Sequence, residues 1–404
     1  MVLKTKNRDI AAFFALLRAG LWEDVMVNGE GLMVNGSPLT ISDGVDWNKV
    51  LDLAEEQSVV GLIAAGIERF KVQDSWTSQA AKPSARFNVP KPIALQFIGR
   101  TVQLEQRNKA MNKFVARLVA DMRKAGIYTL LVKGQGVAQC YEKPLWRSCG
   151  DVDLFLSDSN YEKAKKFLVL LASTVEEEYV TEKHLGITID RWVVELHGHL
   201  YSGLSSRVER ELDSLQYDTF YRGEVRSWMN GLTQIFLLKA ENDAFYVFTH
   251  ILQHFYKEGV GLRQICDWCR LLYTYRDSLN YGLLEQRIKR AGLVSEWKAF
   301  GALAIEYLGF PKDSMPLLNV DIDLNANLKR KADRIMEFIL KSGNMGHNRD
   351  MSHFSKYPYL IRKCVSMGRR IGDLINHARI FPLDSLRFFP RIMFNGVRSA
   401  IKGE

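Results

Sequence analysis

The sequence predicts an α+β fold: a mixed sheet with flanking helices, followed by an all-helical domain. Three observations carry that prediction. Short apolar runs bounded by Gly or Asp recur between residues 128 and 200, as buried strands require. A long segment before them repeats its apolar residues at helical spacing. From about Leu237 onward, helical periodicity replaces the strand-like runs. The expected divisions are an N-terminal helical region over 1–100, an α/β domain over 101–235, a helical domain over 236–345 and a basic extension over 346–404.

In chain order, residues 1–75 read as short helices and loops. Asn28–Gly44 is rich in Gly, Asn, Ser and Asp and reads as a turn or hairpin. Residues 71–92 lack clear periodicity and read as an exposed connection. Leu104, Met111, Val115, Leu118 and Met122 recur at spacings of seven, four, three and four, one face of a long helix that Gly126 ends. Tyr128–Val132 and Val152–Leu156 read as buried strands. Ser159 with Glu162 three residues on forms a capping-box pattern for a helix through about Leu171. Tyr179–Ile189 and Trp192–Leu200 make two more strands around Asp190-Arg191. Phe245, Phe248, Ile251, Leu252 and Phe255 share a helical face, and further helices are expected at 262–275, 281–291, 294–308 and 325–341.

Composition narrows the class. The 404 residues are 47% hydrophobic and 25% charged, close to the globular average, which excludes wholesale disorder. No apolar run approaches the roughly 18 residues that span a bilayer, and Met1–Trp22 lacks the pattern of a secretory leader. Cys140, Cys149, Cys266, Cys269 and Cys364 read as reduced thiols of a cytoplasmic protein. The net charge is +9, and residues 355–404, with ten Lys/Arg against three acids, account for +7 of it. Mixed with Phe, Ile and Leu, such a tail packs on the body with its arginines in water, or meets an anionic membrane surface or a nucleic acid. A membrane contact would make the protein peripheral at the inner membrane.

The chemistry concentrates around Gly150-Asp151-Val152-Asp153-Leu154-Phe155-Leu156. Alternation along a strand points Asp151 and Asp153 to one side, about 7 Å apart, and Val152, Leu154 and Leu156 into the core. Two carboxylates so placed repel unless a cation sits between them, and a hard divalent ion such as Mg²⁺ is the usual solution. Lys133-Gly134-Gln135-Gly136 follows directly on the first strand, where glycines let backbone N–H groups approach a phosphate and the lysine adds charge. Arg147, four residues before Asp151, is a second cation within reach of a phosphate. Glu195 is an acid in the apolar run Trp192-Val193-Val194-Glu195-Leu196-His197, a costly placement unless it is paired or metal-bound.

The ordered stretches "LLVKGQGVAQCYEKPLWRSCGDVDLFL", "VVELHGHL" and "HILQHFYKEGVGLRQICDW" resemble the uncharacterised nucleotidyltransferase family of bacteria, within the DNA polymerase beta-like superfamily. The resemblance covers roughly residues 100–310. It implies a nucleotidyltransferase-like sheet in which Asp151, Asp153 and Glu195 are catalytic and bind two Mg²⁺ ions, with Mn²⁺ able to substitute. It further implies that Lys133, Gly134, Gly136 and Arg147 hold a nucleoside triphosphate, and that a nucleoside monophosphate passes to an unknown hydroxyl acceptor with release of pyrophosphate. Families of this kind are often encoded near surface-polysaccharide genes. The bend here is Gly134-Gln135, where the superfamily usually has Gly-Gly or Gly-Ser. The competing reading is a nucleotide-binding or scaffold protein that keeps the fold without turnover.

His250 and His254 share a helix face, and with Arg263 and Asp267 they are candidate cleft contacts to nucleotide or acceptor. Their spacing, and that of His197 with His199, also permits zinc, with Asp267 as a conceivable third ligand to the helical pair. Cys266 and Cys269 read as helix packing.

Overall fold

The computed structural model describes residues 7–23, 25–28, 31–34, 37–39, 44–76, 89–257, 259–319, 324–344, 368 and 371–390. The chain opens with α1 (Arg8–Leu21), whose first N–H groups are capped by the Asn7 side chain. A three-stranded antiparallel meander follows, β1 (Val25–Asn28), β2 (Gly31–Val34) and β3 (Ser37–Leu39), which begins before Asn28–Gly44, the stretch expected to form a turn or hairpin. Then come α2 (Trp47–Glu56), capped by Asp46, and α3 (Val60–Trp76). Helices α1 and α3 touch backbone to backbone: a Cβ on Gly66 would meet the Leu16 carbonyl at 2.1 Å, and one on Gly20 would meet that of Leu62 at 1.8 Å.

Helix α4 (Lys91–Lys124) is the long helix the apolar spacing predicts, and Gly126, at φ +70°, lets the chain leave it. Its first part buries Ile93, Ala94 and Phe97 in the helical half of the molecule, and its last part buries Met111 through Met122 against the sheet. One helix thus belongs to two cores. Next are β4 (Leu130–Val132), the short helix α5 (Gly134–Ala138), β5 (Val152–Phe155) and α6 (Asp158–Val169). The N-cap of α6 is Ser157, two residues before the expected Ser159. Strands β6 (Thr174–Val175), β7 (His184–Ile189) and β8 (Trp192–His197) turn at Asp190, whose φ is +55°.

After α7 (Ser206–Tyr221) comes a hairpin that periodicity did not anticipate, β9 (Val225–Asn230) and β10 (Thr233–Leu238). The expected helix begins only at α8 (Ala240–Lys257), because Ile235-Phe236-Leu237-Leu238 fits a strand and a helix equally well. The seven strands order as β6-β7-β8-β5-β4-β10-β9, with β5 parallel to β8 and β10 parallel to β4.

The remaining helices are α9 (Leu262–Thr274), α10 (Tyr281–Ala291), α11 (Val294–Leu308) and α12 (Ala326–Ser342), close to expectation. They share one core with α1–α3. Helical segments 371–378 and 382–390 join it through Ile380, Phe381 and Phe388. There Arg387 donates to the carbonyls of Ala291 and Gly292, so this part of the basic extension packs on the body. The rest of 355–404, where membrane or nucleic-acid contact is expected, lies outside the described residues, as does Cys364. Cys140, Cys149, Cys266 and Cys269 are buried free thiols. Among the described residues no helix is long and apolar enough to cross a membrane.

Candidate functional site

Alternation along β5 sends Val152 and Leu154 into the core under α4 and α6, and Asp153 and Phe155 to the opposite face, toward the helical half. The parallel pairing of β5 with β8 sets Glu195 directly beside Asp153. Asp151, just before β5, completes the group, and one ligand oxygen from each of the three carboxylates lies within 4.8 Å of the others. The trio therefore meets at the boundary between the two cores. Asp153 is 2% exposed and Glu195 28%, so the cluster is reached from one side.

Lys133 ends β4 in a conformation that L residues rarely adopt, φ +55° and ψ −141°. That twist carries its Nζ to 2.7 Å from Asp153 Oδ1. The Gly134 bend packs beside the Asp151 carbonyl. Gly136 has a different duty: a Cβ there would meet Leu237 of β10 at 2.8 Å, so this glycine lets α5 lie against the sheet.

The electrostatics follow from these distances. Burial alone would lower the Lys133 ammonium, but the charge of Asp153 and weaker contributions from Tyr246, Glu195 and Asp151 outweigh it and raise it. Asp151 is raised, first by the charge of Asp153 and then by burial, with Lys133 offsetting only part. Burial would raise Glu195, but hydrogen bonds from His184 and His197, with Lys133 nearby, hold it well below the usual carboxylate range. The Nε2 of His197 lies 3.0 Å from Asp153 Oδ1 and 3.5 Å from Glu195 Oε2. Burial pulls its imidazolium down, and these two acids more than restore it.

Arg147 and Asp267 are brought together, but with each other. Arg147 forks onto the carboxylate, Nε to Oδ1 at 3.0 Å and an Nη to Oδ2 at 2.5 Å, while the Tyr141 hydroxyl donates to the same Oδ1 at 2.8 Å. The guanidinium is 6% exposed and committed to this pair. Arg263 donates to the Ser148 carbonyl at 2.9 Å. From α4, Asn108 donates to the carbonyls of Leu145 and Arg147, and Arg107 to that of Cys149. These side chains hold the loop that delivers Asp151.

His250 and His254 form the facing wall on α8, their Nε2 atoms 3.1 Å apart. Burial, helped by the charges of Lys133 and His254, keeps His250 well below its ordinary value. Tyr246, one turn earlier, is pushed up to about 12 by burial despite Lys133. Of the His-x-His pair, His197 faces the trio and His199 pairs with Asp213 at 2.7 Å. His184 and Tyr246 were not anticipated. The two-residue turn at Asp190-Arg191 was the available signal for His184, since it sets His184 opposite His197.

A mixed sheet that gathers two aspartates and a glutamate on or at the end of neighbouring parallel strands, beside a lysine-glycine bend, has the architecture of a nucleotidyltransferase. The chain belongs to the uncharacterised nucleotidyltransferase family, whose sequence profile matches residues 43–309, and is an enzyme of that class. No curated protein and no solved structure matches it.

Proposed function

We propose that the protein transfers a nucleoside monophosphate from a nucleoside triphosphate to a hydroxyl acceptor and releases pyrophosphate. Asp151, Asp153 and Glu195 would hold Mg²⁺ or Mn²⁺, two ions by family likeness. The observation that carries this reading is the convergence of the three acids across the β5–β8 register. The charge balance supports it: with Lys133 and His197 present, Asp151 is still raised by its neighbour, so the resident cations leave room for another.

Bound there, divalent ions would stabilise the charge that develops on the attacking and leaving oxygens. The acceptor oxygen forms a bond to the α-phosphorus, the bond to the β-phosphate bridging oxygen breaks, and the acceptor proton leaves to solvent. The chain's own groups prepare this. Lys133 offers the ammonium nearest the trio, and Gly134 keeps the bend close to Asp151. Arg147, Arg263, Arg107 and Asn108 fix the loop, and Tyr246 and His250 of α8 are buried where they feel the charges of Lys133 and Glu195.

The test is a pyrophosphate-release assay with Mg²⁺, α-labelled triphosphates and a pool of hydroxyl acceptors that includes sugars. Labelled acceptor is expected from the unaltered protein. Asp153→Asn and Glu195→Gln should each reduce it by roughly 100-fold or more, because losing a ligand exceeds the 10- to 100-fold cost of losing a ligand's support. Undiminished transfer by Asp153→Asn would refute the proposal.

A further inference from the structure

We propose that His184, His197 and Glu195 form a second cation site, which shares Glu195 with the acid trio and takes a borderline dication, Zn²⁺ for preference, rather than Mg²⁺. The β7–β8 hairpin builds it. Antiparallel register sets His184 opposite His197, and Glu195, two residues before His197, shares its face. The Nε2 of His184 lies 3.4 Å from Glu195 Oε2, and the Nε2 of His197 lies 3.5 Å from the same oxygen. All three ligand atoms fall within 4.8 Å of one another. Metal–ligand bonds of about 2.0–2.1 Å in a tetrahedron give ligand–ligand edges of about 3.3–3.4 Å, so of the two measured edges the 3.4 Å one matches a bound zinc and the 3.5 Å one is slightly longer. Asp153 Oδ1, 3.0 Å from His197 Nε2, is the nearest further donor.

The donor types set the metal. Two imidazole nitrogens and one carboxylate suit Zn²⁺, whereas Mg²⁺ prefers an all-oxygen shell. Access is open, since the side chains of His184 and Glu195 are about a quarter exposed. The hydrogen-bond partner of His184 Nε2 is Glu195 Oε2 and that of His197 Nε2 is Asp153 Oδ1, and a bound ion would take the two Nε2 lone pairs in place of these contacts. Glu195 belongs to both groups of ligands, and the zinc would fix the side chain that the proposed transfer reaction needs. Zinc uptake is measurable without triphosphate, so its failure and the failure of the transfer reading are separate results.

The experiment uses untagged full-length protein, stripped with a chelator and dialysed against Zn²⁺ with a roughly thousand-fold excess of Mg²⁺. One retained zinc per chain is expected. His184→Gln should weaken retention by about 100-fold, and Asp151→Asn should keep it. Absence of zinc, its displacement by Mg²⁺, or full retention by a folded His184→Gln would overturn the proposal. Should that variant not fold, Cu²⁺ bound to the unaltered protein gives a second readout by electron spin-echo modulation. Two coupled imidazoles are expected there, and fewer than two would overturn the site.

Discussion

The helical half and the sheet treat buried acids differently. In the helical half the buried acids Asp267, Asp218 and Asp243 each have an arginine partner, and Glu296 is held protonated. Asp267 is forked by Arg147, and Asp218 receives Arg287 at 2.6 Å. Glu296, fully buried near Tyr256 and Asp384, is pushed up to about 8 by burial and then by the charge of Asp384. On the sheet, three carboxylates gather around one lysine and two histidines, and Asp151 is still raised by the charge of Asp153. Matched or neutral acids hold a structure together. Surplus acids store an affinity for a cation that arrives later.

Four experiments press on that contrast, in order of expected size. Arg147→Met strands Asp267 and the Tyr141 hydroxyl in the interior, and breaking such a pair costs about 3–5 kcal/mol. Urea unfolding should show it, and the double variant Arg147→Met/Asp267→Leu should recover most of the loss. A single variant as stable as the parent would remove the contrast.

Divalent ions should do the reverse at the trio. At a hundred-fold excess over Kd, Mg²⁺ is expected to add about 2.7 kcal/mol to the parent's stability and nothing to that of Asp153→Asn. Equal shifts in the two proteins would place the ion elsewhere.

Glu296 provides a pH signature. Its folded value, about 8, lies above the ordinary 4.5, so the folded chain keeps a proton that the unfolded chain loses. That contribution to stability is full below about pH 4.5 and is lost as pH rises toward about 8, at up to about 1.4 kcal/mol per pH unit. Glu296→Gln should flatten the thermal midpoint across this window, and an unchanged slope would show that Glu296 ionises freely.

Asp151→Asn should raise the metal-free stability slightly, by of order 1 kcal/mol at an effective dielectric near 20. The gain should exist at neutral pH and fade in acid, where the parent's own Asp151 takes up a proton. A loss of stability at neutral pH would show Asp151 to be well matched after all.

The acid trio was legible because each member breaks a local rule: two aspartates alternate on an otherwise apolar strand, and Glu195 interrupts another. The lysine-glycine bend was legible for the same reason. The Arg147–Asp267 pair was not, since 120 residues separate its partners and only the packing of α9 on the loop brings them together. The β9–β10 hairpin was hidden in an ambiguous apolar run, although Asn230-Gly231 marks its turn. His184 needed the register of β7 and β8, a property of two strands together.

Strand β4, which delivers Lys133, pairs with β5 on one edge and depends for its other edge on β10, made far later in the chain. Until β10 is synthesised, that edge is an open row of donors and acceptors able to recruit foreign strands. A ribosome stalled shortly before Thr233 would therefore hold a nascent chain prone to aggregation, and chaperones should be needed most at that stage of synthesis.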